Sequence, residues 1–395
     1  MRHCFYLFFL VIGHSLSAQT VDSIPQKDFS DILKSLRKHN KDKEASKDTL
    51  PPKTIEWSIA PAIGYSLSTG IAGVVAMSAA FYLGDRSSTN MSFISCSPTY
   101  TQFNQFHIPM AASVWTKNND FNITADWRFL LFPQDTYGLG GKTTDADQTN
   151  MYFTYLRLYQ SVMKNLGHNW YVGLGYDLDY YFKTTIDALP DNRVPDALTY
   201  GMTSKVVCSG AAATVLYDSR KNPINPKGGE QYANIVYRNN QTAFGSDNNW
   251  QSLMIDLRKY IALGDKRHIL AFWNYEYLTL SGTPPYQILP STGWDTYGNT
   301  GRGYIQSRFR GTNLLYLESE YRFPLTRNGL LGGVVFANAE SFTEPISHQF
   351  EKVLPGYGLG VRIKVNKHSD TNVAIDYAWG INHSQGFFVN LSEVF

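Results

Sequence analysis

Phe121-Asn122-Ile123-Thr124-Ala125-Asp126-Trp127-Arg128-Phe129 places apolar and polar side chains at alternate positions. A period of two puts Phe121, Ile123, Ala125, Trp127 and Phe129 on one face of a strand and the polar residues on the other. The same theme recurs along the chain. Trp170, Val172, Leu174, Tyr176 and Leu178 alternate with Gly173, Gly175, Asp177 and Asp179, and Val373, Ile375, Tyr377 and Trp379 alternate with Asn372, Ala374, Asp376 and Ala378. Asn, Asp, Gly, Ser and Pro turns separate such segments from Thr54 onward, which predicts an all-β chain.

A soluble sandwich would turn the apolar faces inward. Two features favour the inverse, with apolar faces toward lipid: aromatic residues gather near strand ends, and the segments reach the roughly 9 to 11 residues that a tilted strand needs to cross a bilayer. About sixteen segments fit between Thr54 and Phe395, the even count of bacterial single-chain barrels. The expectation is a transmembrane antiparallel β-barrel over residues 54–395. In lipid every backbone amide needs a partner, so such a sheet closes. Pro61 removes a donor from the first strand, and together with Gly386 near the other end it marks the seam between first and last strands as the weak point. Residues 70–84 are apolar, but too short and too glycine-punctuated for a spanning helix.

The chain of 395 residues is 43% hydrophobic, 14% aromatic and only 17% charged. Its 35 Lys and Arg against 33 Asp and Glu leave no basic excess to hold a polyphosphate, which argues against a nucleic-acid partner. Met1, Arg2 and His3 precede the apolar run from Cys4 to Gly13 and the small residues Ser15, Ser17 and Ala18. Residues 1–18 therefore read as a secretory signal, against the alternatives of a buried strand or an anchor. Residues 19–53 carry eight basic and six acidic side chains and end beside Pro51-Pro52, the composition of a solvated periplasmic linker. Within it Phe29, Ile32, Leu33 and Leu36 share one stripe of a short amphipathic helix, read either as part of a tether or as a plug or foot at the membrane rim. Beyond the signal only Cys96 and Cys208 remain, too few for a disulfide framework; whether they pair stays open.

Residues 134–150, 183–204 and 281–311 interrupt the strands and are expected as outer loops. The last is too long for a connector without a role. It contains Arg302-Gly303-Tyr304, then Arg308-Phe309-Arg310, and leads into Asn313-Leu314-Leu315 and Glu320-Tyr321-Arg322-Phe323-Pro324-Leu325. Upstream stand Asp218-Ser219-Arg220-Lys221-Asn222-Pro223, then Asn225-Pro226 and Gly228. The tail runs through Gly356-Tyr357-Gly358-Leu359-Gly360 and Asp376-Tyr377 to Gly386-Phe387-Phe388 and ends on Phe395.

These motifs, in this order and spacing, resemble the BamA/TamA-type outer-membrane barrel superfamily, the bacterial surface antigen family. Arg302-Gly303-Tyr304 resembles its loop-six signature, and the Asp218 to Gly228 stretch is similar to its turn between strands eight and nine. The resemblance implies a loop six folded into the lumen, its arginine meeting acidic groups on the next strands. Alternation turns Glu318, Glu320 and Arg322 inward, so Arg302 is expected to pair with Glu318 or Glu320. Where the family usually has an aspartate on strand thirteen this chain has Asn338; Glu340, on the same face, is the expected substitute. Phe395 resembles the terminal aromatic that acts as a C-terminal insertion signal.

The resemblance further implies a bacterial outer-membrane location and the insertion or translocation of polypeptide or lipid. Members usually carry periplasmic POTRA domains, for which residues 19–53 are too short. The reading is a barrel-only accessory in outer-membrane protein or lipid assembly. Its partners would be outer-membrane lipid and a periplasmic partner protein or unfolded client polypeptide. The alternative is a passive small pore or a structural barrel, since inward Asp126, Arg128, Asp177, Asp179, Asp256, Arg258, Glu276, Arg362, Lys364 and Asp376 mix both signs. No catalytic set is legible. His107, His168, His268 and His348 are scattered, with no metal-ligand spacing, so neither enzyme activity nor a cofactor is expected.

Overall fold

A computed structural model of the chain describes residues 26–28, 31, 55–296, 298–367 and 370–395. The signal reading and the stripe of Phe29, Ile32, Leu33 and Leu36 lie outside the described residues. Seventeen strands form one sheet. They are β1 (Ile55–Ser66), β2 (Gly70–Phe81), β3 (Ser92–Cys96), β4 (Thr99–Thr101), β5 (Phe106–Trp115) and β6 (Phe121–Thr136). Then come β7 (Thr149–Gly167), β8 (Trp170–Ile186), β9 (Val206–Asp218), β10 (Gln231–Asn240), β11 (Trp250–Leu263) and β12 (Asp265–Gly282). The sheet ends with β13 (Leu314–Pro324), β14 (Leu331–Phe342), β15 (Leu354–Asn366), β16 (Thr371–Trp379) and β17 (Gln385–Leu391). From β5 to β17 each strand pairs antiparallel with its successor, as β1 does with β2. No helix among the described residues is long and apolar enough to cross a membrane.

The third expected strand, centred on Ser95, is divided, which is why the sheet has seventeen strands rather than about sixteen. β3 and β4 lie end to end in one lane, both between β2 and β5. Ser97 and Pro98 fill the gap, and Pro109 on β5 stands opposite Ser97. Ser97 donates its amide to the Pro109 carbonyl at 3.1 Å and Val75 donates to the Pro98 carbonyl at 3.0 Å. Neither proline has an N–H with which to return the bond, so the ladder breaks there. In consequence the expected strands eight, twelve and thirteen are β9, β13 and β14.

The faces are inverted relative to a soluble domain. Trp57 is 75% exposed, Leu174 74% and Leu317 60% in mid-strand, while Arg238, Asp179, Glu320 and Asp376 are buried. A sheet with its apolar side out and its charges in suits hydrocarbon around it and not water. The connections β6–β7, β8–β9 and β12–β13, which hold the three expected loops, leave one end of the sheet. There β6 and β8 run on to Thr136 and Ile186, shortening two of the expected loops, because Phe132, Gln134 and Thr136 continue the alternation with buried side chains. At the end with the short turns, Lys27 donates its amide to the Asn328 carbonyl, and Asp31 meets Lys367 at 2.8 Å.

β1 and β17 are neighbours. A Cβ on Gly386 would lie 2.2 Å from the side chain of Leu67, just past β1. No residue-by-residue pairing joins the two strands among the described residues.

Candidate functional site

Residues 283–296 and 298–313, between β12 and β13, turn back over the charged face of the sheet. Arg302 is 2% exposed there. Its Nη1 donates to Asp376 on β16 at 2.6 Å, and its Nη2 donates to Glu320 at 2.8 Å and also to Glu318, both on β13. The guanidinium carbon stands 3.5 Å from the centre of the Phe336 ring on β14, so a cation–π contact covers its flat side. One planar fork thus ties a loop to three strands, the geometry that favours arginine over lysine.

The neighbouring residues fix the loop. Gly303 takes φ +112°, and a Cβ there would lie 2.8 Å from the Trp379 carbonyl oxygen, so the backbone crosses β16 where a side chain cannot. Tyr304 donates its hydroxyl to the Pro355 carbonyl at 2.6 Å and accepts from the Ile381 amide at 3.2 Å. Burial pushes its phenol up to about 12, which keeps the proton it donates. Ser384 closes the contact by donating to the Gly303 carbonyl at 2.7 Å.

The structure brings Glu318 and Glu320 to Arg302 and distributes the other expected residues differently. Asn338 donates its Nδ2 to the Arg302 main-chain carbonyl at 2.9 Å; it holds the loop backbone and leaves the charge alone. Glu340 does not substitute for the missing aspartate. It accepts from the Thr292 hydroxyl at 2.7 Å and has no ion pair among the described residues. The third carboxylate comes from Asp376, legible beforehand only as an inward residue. Around it Arg362 pairs with Asp376 at 2.5 Å, Glu393 at 2.7 Å and Glu320 at 3.2 Å, and Arg322 pairs with Glu320 at 3.2 Å. Three arginines so face four carboxylates, and each of the seven has an oppositely charged partner within ion-pair distance, as buried charges require.

The turn motif is well ordered by its own side chains. Arg220 grips Asp218 through two bonds of 2.9 Å and lies 4.0 Å from the Tyr232 ring centre. Asn222 caps the Ile224 amide at 3.1 Å, ahead of Pro223 in the turn. Gly228 leaves no room for a Cβ, which would stand 2.5 Å from the Ala262 nitrogen. The tip then reaches other elements: Lys227 pairs with Asp370 at 3.0 Å, and Glu393 donates its amide to Ile224 at 3.2 Å.

Phe395 is not on the lipid face. β17 ends at Leu391, and the last residues turn inward, so that Phe395 stacks on Trp273 with ring centres 5.2 Å apart while its carbonyl accepts from Arg322 at 2.8 Å. The cause is local: Ser392 takes φ +97°, and Glu393 is drawn to Arg362 and to Asn372 at 2.7 Å. Pro61, in β1, stands opposite Val75 of β2. A cavity of about 60 Å³ opens between Tyr65 and Ser66 of β1 and Phe388 to Asn390 of β17, and residues 298–300 with Arg302 line it from inside.

A second charged group lies on β6 to β10 and was legible only as scattered inward charges. Arg238 meets Asp179 at 2.6 Å, Tyr159 donates to Asp179 at 2.7 Å, and Tyr155 also bonds it. Arg157 reaches Asp126 at 3.4 Å, and Arg128 grips Asp126 at 2.7 Å. The long loop touches this wall too, since Arg128 donates to the Thr296 carbonyl at 2.6 Å.

Known structures share this architecture. BamA from Haemophilus ducreyi lacking POTRA domains 1–3 aligns over 85% of this chain and 68% of its own, with TM-score 0.53 and 13% identity. The fold is that of the BamA-like outer-membrane barrels. CdiB from Acinetobacter baumannii (TM-score 0.56, 12% identity, 86% of this chain, 60% of that one) and CdiB from Escherichia coli (0.56, 13%, 87%, 63%) align similarly. This chain thus spans 60–68% of the length of those structures. No family model and no curated protein matches it.

Proposed function

We propose that the sheet closes as an outer-membrane barrel with residues 283–313 inside its lumen, and that the protein assists the insertion or translocation of outer-membrane protein or lipid at the seam between β1 and β17. The observation that carries this reading is the seam itself: two adjacent strands of 12 and seven residues with no pairing between them among the described residues, in a sheet otherwise bonded strand to strand. An unpaired edge in hydrocarbon is costly, so a chain that keeps one at this place has a use for it. A client strand or a lipid would meet β1 there, and a separate periplasmic protein would deliver it.

A passive pore suits the structure less well. Loop residues cap the long-loop end: Gly140 donates its amide to Arg310 at 2.7 Å, Arg308 donates to the Thr143 carbonyl at 3.0 Å, and the hydroxyls of Thr136 and Tyr286 are 2.6 Å apart. With Arg302 and the tail also inside, little lumen is left for flow.

Depletion of the protein followed by a survey of the outer membrane tests the reading. A fall in specific barrel proteins, surface lipoproteins or lipid is expected; unchanged levels of all three would overturn it.

A further inference from the structure

Three prolines fall in one row across the strands next to the seam. Pro61 on β1 pairs with Val75 on β2. The pairings Met77 with Cys96 and Val74 with Thr99 put Val75 opposite Pro98 and Ala76 opposite Ser97. On the next strand, Cys96 with Met110 and Thr99 with His107 put Ser97 opposite Pro109. The row thus runs from β1 through β2 and the β3–β4 lane to β5, at one height.

The direction of each missing bond follows from the ladder. In an antiparallel strand the N–H and C=O of one residue point to the same neighbour. Val75 donates toward Pro98, so it faces the β3–β4 lane, and Pro61 opposite it faces away, toward β17. Pro61 therefore removes a donor from the open edge, Pro98 removes the bond that would return to the Val75 carbonyl, and Pro109 removes the one that would return to Ser97. The seam, the junction of β2 with the β3–β4 lane and the junction of that lane with β5 each lack one hydrogen bond on this line.

The side chains on this wall do not make up the loss. β2 reads Gly-Ile-Ala-Gly-Val-Val-Ala-Met-Ser-Ala-Ala-Phe. The two largest buried apolar clusters draw no member from β1 to β5, and no ion pair joins these strands among the described residues.

We infer that Pro61, Pro98 and Pro109 form a transverse crease, about which the short-turn ends of β1, β2, β3 and β5 bend together relative to β6 to β17. The use of the crease rests on the seam reading above, since bending there changes the spacing of β1 from β17. Its existence rests on the ladder alone.

Hydrogen–deuterium exchange of the full chain in lipid nanodiscs tests it without any client. In the wild type, peptides from residues 76–81, 92–96 and 110–115 are expected to exchange together and faster than those of β7 and β8. Pro98→Val with Pro109→Val restores two donors, and exchange in those peptides should slow by about three- to tenfold, the worth of one net hydrogen bond, with β7 and β8 unchanged. Wild-type exchange as slow as in β7 and β8, or no slowing in the variant, would overturn the crease. If the double variant does not fold, the wild-type comparison and Pro109→Val alone decide. Because neither readout involves a client, a failed depletion experiment would remove the proposed function and leave this result standing.

Discussion

The two charged walls use similar residues to different ends. On β6 to β10, Asp126, Arg128, Tyr155, Arg157, Tyr159, Asp179 and Arg238 all belong to strands, and most bonds join nearby strands. That network stiffens a sheet already held by its ladder. On β13 to β16 the central cation, Arg302, belongs to a loop and is supported by carboxylates from β13 and β16. Removing a strand-borne partner loosens a wall; removing Arg302 detaches a loop. The difference identifies which part of the interior depends on a single side chain for its place.

The largest effect should come from Arg302→Ala. It leaves Glu318, Glu320 and Asp376 with less compensation in a buried site, a loss of about 3 to 5 kcal/mol by the usual cost of breaking a buried ion pair. The compact form in unheated gel electrophoresis should disappear, and protease should cut within residues 283–313. Arg238→Ala should destabilise the fold by a comparable or smaller amount, about 2 to 4 kcal/mol, seen as a lower thermal midpoint, yet leave those loop residues protected; loop cleavage in this variant would show that the two walls are not separable. Glu340→Gln should do least, under about 1 kcal/mol, since an amide oxygen still accepts from Thr292. A Glu340→Gln variant that lost the compact form as Arg302→Ala does would place Glu340 in the lock after all.

The local pattern was legible in the sequence, and the partnerships across the interior were not. A period of two says that Glu318, Glu320 and Asp376 point inward, and a loop arginine close in sequence to Glu318 suggests its pairing. It cannot say that Asp376, three strands further on, arrives at the same guanidinium, because that depends on how the sheet curves. For the same reason Asn338 was read for its missing charge, when its amide serves the Arg302 carbonyl. Phe395 fits a terminal lipid-facing aromatic by pattern alone; the left-handed Ser392 and the pull of Arg362 on Glu393 turn it inward. The divided third strand was within reach, since Pro98 and Pro109 are visible in the sequence, but only the register shows that they fall on adjacent rungs of the ladder.

The inward course of residues 392–395 gives the tail a task of its own. By packing on Trp273 of β12 and bonding Arg322 of β13, it ties strands four and five places away from β17 in the sheet to the end of the chain, so trimming even the last residue would be felt far from the strand that carries it.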